Sequence, residues 1–424
     1  MSVSSQNTAP RLERLLSGVT AVGSPAAELS QAEGGLSIRR EFSSSPSTGS
    51  DSVLFLQPWN PRLMKAIFSN DHNFRPQSNI QVLQVDNDGT FWRPEVSDAA
   101  INQFLVRDVS TQSARPQHTL IAFFVYLEFK HEAQYKRQAS ISRESLKQLV
   151  GHIGMHDAAV QDLLGRPDYW SAFGRRKGGA AIKSADYEFF CQHPRWLQKS
   201  RHDKLQHRAP CSVYLHHDTA QNTSYYVVSA ARNDSCATEI LEELGIPDPG
   251  VPYAGPTVKA AANPFLIHAL VSGYAYHQSI DYLTNVRERL FSEIAEVNDY
   301  SKESHASLPQ DGQAKDTAGR KKLENITKNL HLVSQTCDTG IANADMSISL
   351  CEEMLKAHAT FCGGATAASP LESWRQVQDS MEWILKTWHC QKNWLVSYKA
   401  RKDTAMNFVS RPSIGSHFTL LLRA

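Results

Sequence analysis

The chain has 424 residues, 41% of them hydrophobic, with 44 Lys and Arg against 43 Asp and Glu. That length can bury a sizeable core and allows more than one domain, while a formal net charge of +1 excludes a global electrostatic footprint for nucleic acid. Met1 to Ser17 lacks the apolar core of a secretory signal, which predicts a cytoplasmic chain, and seven cysteines without a Cys-x-x-Cys pair predict reduced thiols.

Residues 1–52 are rich in Ser, Gly, Ala and Glu, with an extreme at Ser43 to Ser50. Such a stretch buries too little apolar surface to offset its ordering entropy, so a disordered arm is expected. A mixed α/β domain is expected over 53–256. It opens with the apolar run Val53 to Leu56, a short helix over Pro61 to Phe68, and an alternating strand, Ile80 to Val85, that ends in the turn Asp86-Asn87-Asp88-Gly89. No Glu stands at the twelfth position that a calcium loop would need, so this turn reads as a hairpin. Thr119 to Phe129 (TLIAFFVYLEF) is a strand, and Ser142 to Leu149 and His156 to Leu164 are paired short helices. Tyr187 to Cys191, Cys211 to His216 and Ser224 to Ser229 are further strands. Gly174 to Gly179 and Arg195 to Arg208 read as polar, basic loops between them. Cys236 to Gly245 reads as a short helix, and the Pro-rich stretch Pro247 to Pro256 closes the domain.

The chain then changes character, and residues 263–409 read as three long helices running up, down and up. Asn263-Pro264 supplies a cap and a Pro at the start of the first, whose apolar positions run from Phe265 to Ile294. Ser301 to Gly319 is nearly devoid of apolar residues and is expected to be a loop. Lys321 to Ala359 then places Leu323, Leu330, Cys337, Ala344 and Cys351 seven apart, which makes Cys337 and Cys351 small core residues. Leu371 to Val409 repeats the pattern with Trp374, Met381, Trp388 and Leu395, partnered by Val377, Ile384, Leu385 and Tyr398. Lys386, Lys392, Lys399, Arg401 and Lys402 crowd its C-terminal half, where the helix dipole favours cations. Residues 410–424 form an irregular tail. Its apolar run, Phe418 to Leu422, is far short of the roughly 20 residues that cross a bilayer, so no membrane span is expected in this chain.

The residues that could carry chemistry do not assemble into an enzyme signature. His152 and His156 have the spacing of two zinc ligands on one helix face, but Ile153 stands where a metalloprotease needs its Glu, and Gly151 and Gly154 weaken the helix. His216-His217-Asp218 lies at a strand end, where adjacent side chains point to opposite faces. Gly174 to Gly179 lacks the spacing of a phosphate-binding loop, and there is no Gly-x-Ser-x-Gly elbow. No catalytic residue and no cofactor follow from the residues themselves. The fold class expected is α+β: a mixed α/β N-terminal domain followed by a three-long-helix unit that ends in a stalk-like heptad helix.

Three segments carry a family resemblance: Arg208 to Tyr214 at a strand entry, Asn263 to Leu270 at the start of the first long helix, and Ser397 to Asp403 in the stalk. Over roughly Ser142 to Val409 the chain resembles the cytosolic part of the CorA-type magnesium transporters, in particular the divergent fungal CorA-like proteins. The resemblance implies a non-enzymatic regulatory domain on the cytosolic side of a membrane, assembly of a homo-oligomer through helical seams, and Mg²⁺ held by carboxylates between subunits. By residue type the matching carboxylates are Glu239, Glu242 and Glu243 on one short helix and Glu293, Glu296 and Asp299 on the first long one. The chain departs from the family in having no Gly-Met-Asn filter and neither of its two spans. Ala405-Met406-Asn407 falls inside the stalk pattern and is not that filter. The break at Ser410 fits a chain, or a gene model, that ends in unrelated residues soon after the stalk and cannot itself transport. A cytosolic helical scaffold with no role in ion transport is the alternative.

Overall fold

The computed structural model describes residues 61–86, 89–107, 118–166, 172–177, 186–196, 211–232, 234–246, 263–306, 314–362 and 371–410. The arm over 1–52, the run 53–56, the Pro-rich stretch 247–256, most of the basic loop after Arg195 and the tail from 411 lie outside these residues. The chain is a mixed α/β protein whose N-terminal sheet is followed by long C-terminal helices.

The central strand, β3 (Thr119–Phe129), is a continuous apolar run because both of its faces are covered. Around it lie β1 (Ile80–Asp86), β2 (Gly89–Val96), β4 (Arg137–Ala139), β5 (Phe173–Lys177), β6 (Asp186–His193), β7 (Cys211–Asp218) and β8 (Thr223–Ala231). The sheet order is β2-β1-β3-β8-β7-β6-β5, with β4 pairing the far end of β3. Only the β3–β8 pairing is parallel; the others run antiparallel. Asp86 pairs with Gly89, whose φ of 131 suits glycine, so the Asp86–Gly89 segment joins a hairpin as expected.

One expectation fails at a sheet edge. The segment expected as a basic loop contains the edge strand β5, in register from Phe173↔Phe190 to Lys177↔Asp186. Its charged side chains suit an edge, where they discourage pairing with another chain. Arg175 bonds Glu188 at 2.8 Å, and Arg176 donates to the carbonyl of Thr360. The other edge strand, β2, carries Arg93-Pro94-Glu95 and has no clean alternation, so the sequence reading passed over it.

Helices cover both faces of the sheet. On one side lie α2 (Asp98–Arg107), α3 (Arg143–His152) and α4 (Asp157–Leu163), while α1 (Pro61–Ser69) packs near the Asp71–Asn73 turn. Contacts such as Phe104 on Phe123 and His156 on Phe190 seat this layer. The opposite face presents Tyr187, Phe189, Cys191, Val213, Leu215, Tyr226 and Val228 to α5 (Cys236–Glu243) and three long helices. These are α6 (Leu266–Ala306), α7 (Ala314–Cys362) and α8 (Leu371–Ser410).

Contacts along the bundle fix its directions. Ser272 lies 3.9 Å from the sulfur of Met354 and Tyr282 donates to the carbonyl of Thr336 at 2.6 Å, so α7 runs antiparallel to α6. Lys392 pairs with Asp345 and Lys399 with Asp338, so α8 runs antiparallel to α7 and parallel to α6. The heptad residues Met381, Trp388 and Leu395 are buried in one cluster with Cys337, Ala344 and Cys351. Gly340 lets the three helices approach, because a Cβ there would lie 2.9 Å from both Leu395 and Tyr282. The expected loop Ser301 to Gly319 is helical at both ends: α6 runs to Ala306 and α7 begins at Ala314. Polar residues continue those helices because one face still packs, as where Tyr300 meets Gly319.

Candidate functional site

The residues singled out from sequence disperse. Glu239 is half-buried and Glu242 and Glu243 are exposed on α5, which touches the start of α6 where Ser235 bonds Tyr274. Glu293, Glu296 and Asp299 sit 19 or more residues further along α6, about 30 Å away at 1.5 Å per residue. Within one chain the two sets do not converge. Asp299 pairs with Lys302 at 3.1 Å, and partial burial raises the Glu293 carboxyl above its usual range.

The His152/His156 spacing does not lie on one helix. α3 ends at His152 and Ile153 caps it, while His156 begins α4, its Nδ1 accepting from the Ala158 amide at 3.3 Å. Gly154, at φ 56, makes the turn between them. His216 and His217 face opposite sides of the sheet, as their strand positions require: His216 lies over Tyr225, and His217 against Phe361 of α7.

One group does converge, and the sequence reading missed it. Cys191 and His193 are two apart on β6, so they share the face that meets the long helices. His268, in the first turn of α6, comes down on them. The Cys191 Sγ lies 3.3 Å from His193 Nε2 and 3.5 Å from His268 Nδ1, and the three donor atoms all lie within 4.8 Å of one another. All three side chains are buried, and His193 and His268 expose none of their surface. The Cys-x-His spacing in an apolar strand was the available signal. The third member, 75 residues past His193, had none.

Electrostatics at this cluster keep every member neutral. Burial, helped by the neighbouring Arg195, pushes His193 down to about 3. Burial and repulsion from His193 hold His268 well below the ordinary imidazole range, against a backbone bond at Phe189. Burial, then the charges of Asp162 and Cys351, raise the Cys191 thiol. The outer partners are defined too. Ser272 on α6 lies 3.2 Å from His193 Nδ1 and 3.9 Å from the sulfur of Met354. Arg195 is neutralised by Asp234 through a two-point ion pair, with Nε to Oδ2 at 2.7 Å.

One shallow groove is lined by Arg320, Glu324, Lys328 and His331, all on α7, and residues of one helix cannot surround a substrate. Among the described residues no helix is long and apolar enough to cross a membrane. On the bundle exterior, Trp383, Trp394 and Val396 of α8 and Ile280 and Phe291 of α6 stay exposed.

No family model matches the chain, and no curated protein does. Among solved structures, the crystal structure of the ZntB cytoplasmic domain from Vibrio parahaemolyticus is similar at 9% identity and a TM-score of 0.36, covering 78% of this chain and 99% of that one. At that identity and score the likeness carries no argument about function.

Proposed function

We propose that the chain works without catalysis, as a regulatory domain of the CorA type whose long-helix bundle transmits divalent-cation binding to its own assembly. The observation that supports this is α8. Its heptad seam is buried inside the chain, yet it keeps Trp383 and Trp394 exposed; Trp383 meets Tyr276 of the parallel helix α6, which itself leaves Ile280 and Phe291 exposed. Trp383 and Trp394 are eleven residues apart, as are Ile280 and Phe291, so each pair shares one side of its helix. An outward aromatic face of this kind suits helix-to-helix association. Acidic residues on α5 and late α6 would then meet between copies, where a hard cation offsets their repulsion.

Light scattering on the full chain with and without millimolar Mg²⁺ tests the reading. A monomer or weak oligomer that gains mass with Mg²⁺, and loses that gain in Glu293→Gln/Glu296→Gln, supports it. A tight pentamer under both conditions removes the dependence on the cation. The exposed aromatic face also favours a second reading, a helical scaffold with no role in ion transport. A mass unchanged by Mg²⁺ but lowered by Trp394→Glu would select it.

A further inference from the structure

We infer that Cys191, His193 and His268 form a buried site for a borderline-soft divalent transition ion, zinc first among them, which ties strand β6 to helix α6. The site is independent of the regulatory reading above, because Mg²⁺ takes oxygen ligands and this group offers one sulfur and two nitrogens.

Geometry supports the inference first. With Zn–S near 2.3 Å and Zn–N near 2.0–2.1 Å, the S···N edge of a zinc tetrahedron is about 3.5 Å. The two S···N separations here are 3.3 and 3.5 Å. The remaining N···N edge is at most 4.8 Å, against about 3.4 Å on a tetrahedral ion, so binding need only close that side.

Hydrogen bonding can also satisfy the three facing atoms, in one arrangement. A thiol has one proton and can donate to one imidazole. The other imidazole must then turn an N–H toward the sulfur. His268 Nε2 is buried with no hydrogen-bond partner among the described residues. With Nδ1 on an ion, Nε2 would carry the ring proton, so this atom stays unpaired with or without a metal and the inference rests on the geometry of the three donor atoms.

The surroundings also suit a metal. Ser272 can accept from His193 Nδ1, fixing the tautomer that leaves Nε2 free to ligate, and its own hydroxyl can donate to Met354. A gap lined by His193, Pro194, Ser272, Ser347, Leu350 and Cys351 adjoins the cluster and has no room for a water molecule. Cys351 is a thiol on the lining of that gap. Two thiolates would balance a divalent charge and complete a Cys₂His₂ set. Across the sheet, Asp162 is buried with neither carboxyl oxygen bonded among the described residues.

The test uses the full chain, stripped with a chelator and reloaded with zinc or cobalt(II). About one equivalent of zinc should survive gel filtration, and cobalt should give the intense thiolate-to-metal absorption of a tetrahedral sulfur site. Cys191→Ser should abolish that band, Ser272→Ala should weaken retention by roughly tenfold, and Cys390→Ser, at an exposed position, should change nothing. Should Cys191→Ser fail to fold, alkylation of the wild type in mild denaturant decides: zinc, and not magnesium, should slow labelling of Cys191. A folded wild type that retains no zinc and shows no cobalt–thiolate band overturns the inference. So does a band that persists in Cys191→Ser, or zinc protection of Cys211 and Cys236 with Cys191 unprotected.

Discussion

The seam between the long helices and the interface between those helices and the sheet are both dry, yet they are built from different side chains. The seam is apolar and repetitive: Leu330, Val333, Ala344, Met381, Ile384 and Leu395 recur at helical spacing, and its ion pairs, Lys392–Asp345 and Lys399–Asp338, lie at the rim. The sheet–helix interface mixes aromatic rings with histidines and thiols: Phe189 and Phe265 pack on His268, and His217 and His358 lie near Phe361 and Phe265. A seam of hydrocarbon holds regardless of pH. An interface with buried imidazoles holds only while they stay neutral.

The strongest way to break the comparison is to strike where the regions meet. Trp388 is 1% exposed in the seam, but its ring also stacks on Trp196, beyond the end of β6, at 5.3 Å and meets Tyr276 of α6 edge-on. Trp388→Ala should therefore cost about 3–5 kcal/mol, read as a shift in the urea midpoint. Leu395→Ala, in the seam alone, should cost less. If the two cost the same, the regions are not coupled through Trp388.

Acid sharpens the comparison next. Burial and repulsion from His216 push His217 down to about 4, and burial pushes His358 to about 4. With folded pKa values below the unfolded value near 6.5, the unfolded chain binds more protons in that window. Stability is present above pH 6.5 and falls as pH drops towards 4, by about 1.4 kcal/mol per pH unit for each group. Asp162 opposes this. Burial raises it to about 8, so its contribution grows as pH falls from 8 to near 4. Asp162→Asn should remove the opposing slope, raising stability at pH 8 by more than at pH 5 and leaving the acid midpoint no higher than that of the wild type. Helical circular dichroism should outlast near-ultraviolet signals as pH falls, because the buried seam is hydrocarbon and its ion pairs lie only at the exposed rim, where they contribute little. Simultaneous loss of both would deny the distinction between the regions.

That same distinction explains what was legible in the sequence. The seam could be read because its signal is local: Trp374, Met381, Trp388 and Leu395 announce one helix face without reference to any other element. β3, β6, β7 and β8 were legible as apolar runs, whereas β5 was hidden by Gly174-Arg175-Arg176, whose charge reflects an edge. The helix α2 went unread because its apolar residues, Ile101, Phe104 and Leu105, are few and pack on the sheet alone. The Cys191–His193–His268 group needed a contact across 75 residues, made by the pairing of a strand with the first turn of α6. No spacing rule encodes that contact. The cations Lys392 and Lys399 were legible as residues but not as pairs, since their partners stand on the antiparallel α7.

The smallest effect expected belongs to the far face of the sheet, where polar groups are satisfied by one another. Asp98, at the start of α2, accepts from the hydroxyls of Ser78, Ser142 (2.7 Å) and Ser145 (2.6 Å), and Ser142 in turn caps α3 by accepting from the Ser145 amide. Partial burial raises the Asp98 carboxyl, but the bonds from Ser145, Ser78 and Ser142 outweigh it and hold the group at about 2. A carboxyl depressed in the folded state contributes stability above its unfolded value near 3.8, and that contribution is lost as pH falls towards 2. Because water reaches the site, Asp98→Asn should cost about 1 kcal/mol at neutral pH. The difference between variant and wild type should then shrink below pH 4, which paired urea melts at pH 7 and pH 3 would measure. A cost that is the same at both values would mean that the three serines serve α3 without needing the charge of Asp98.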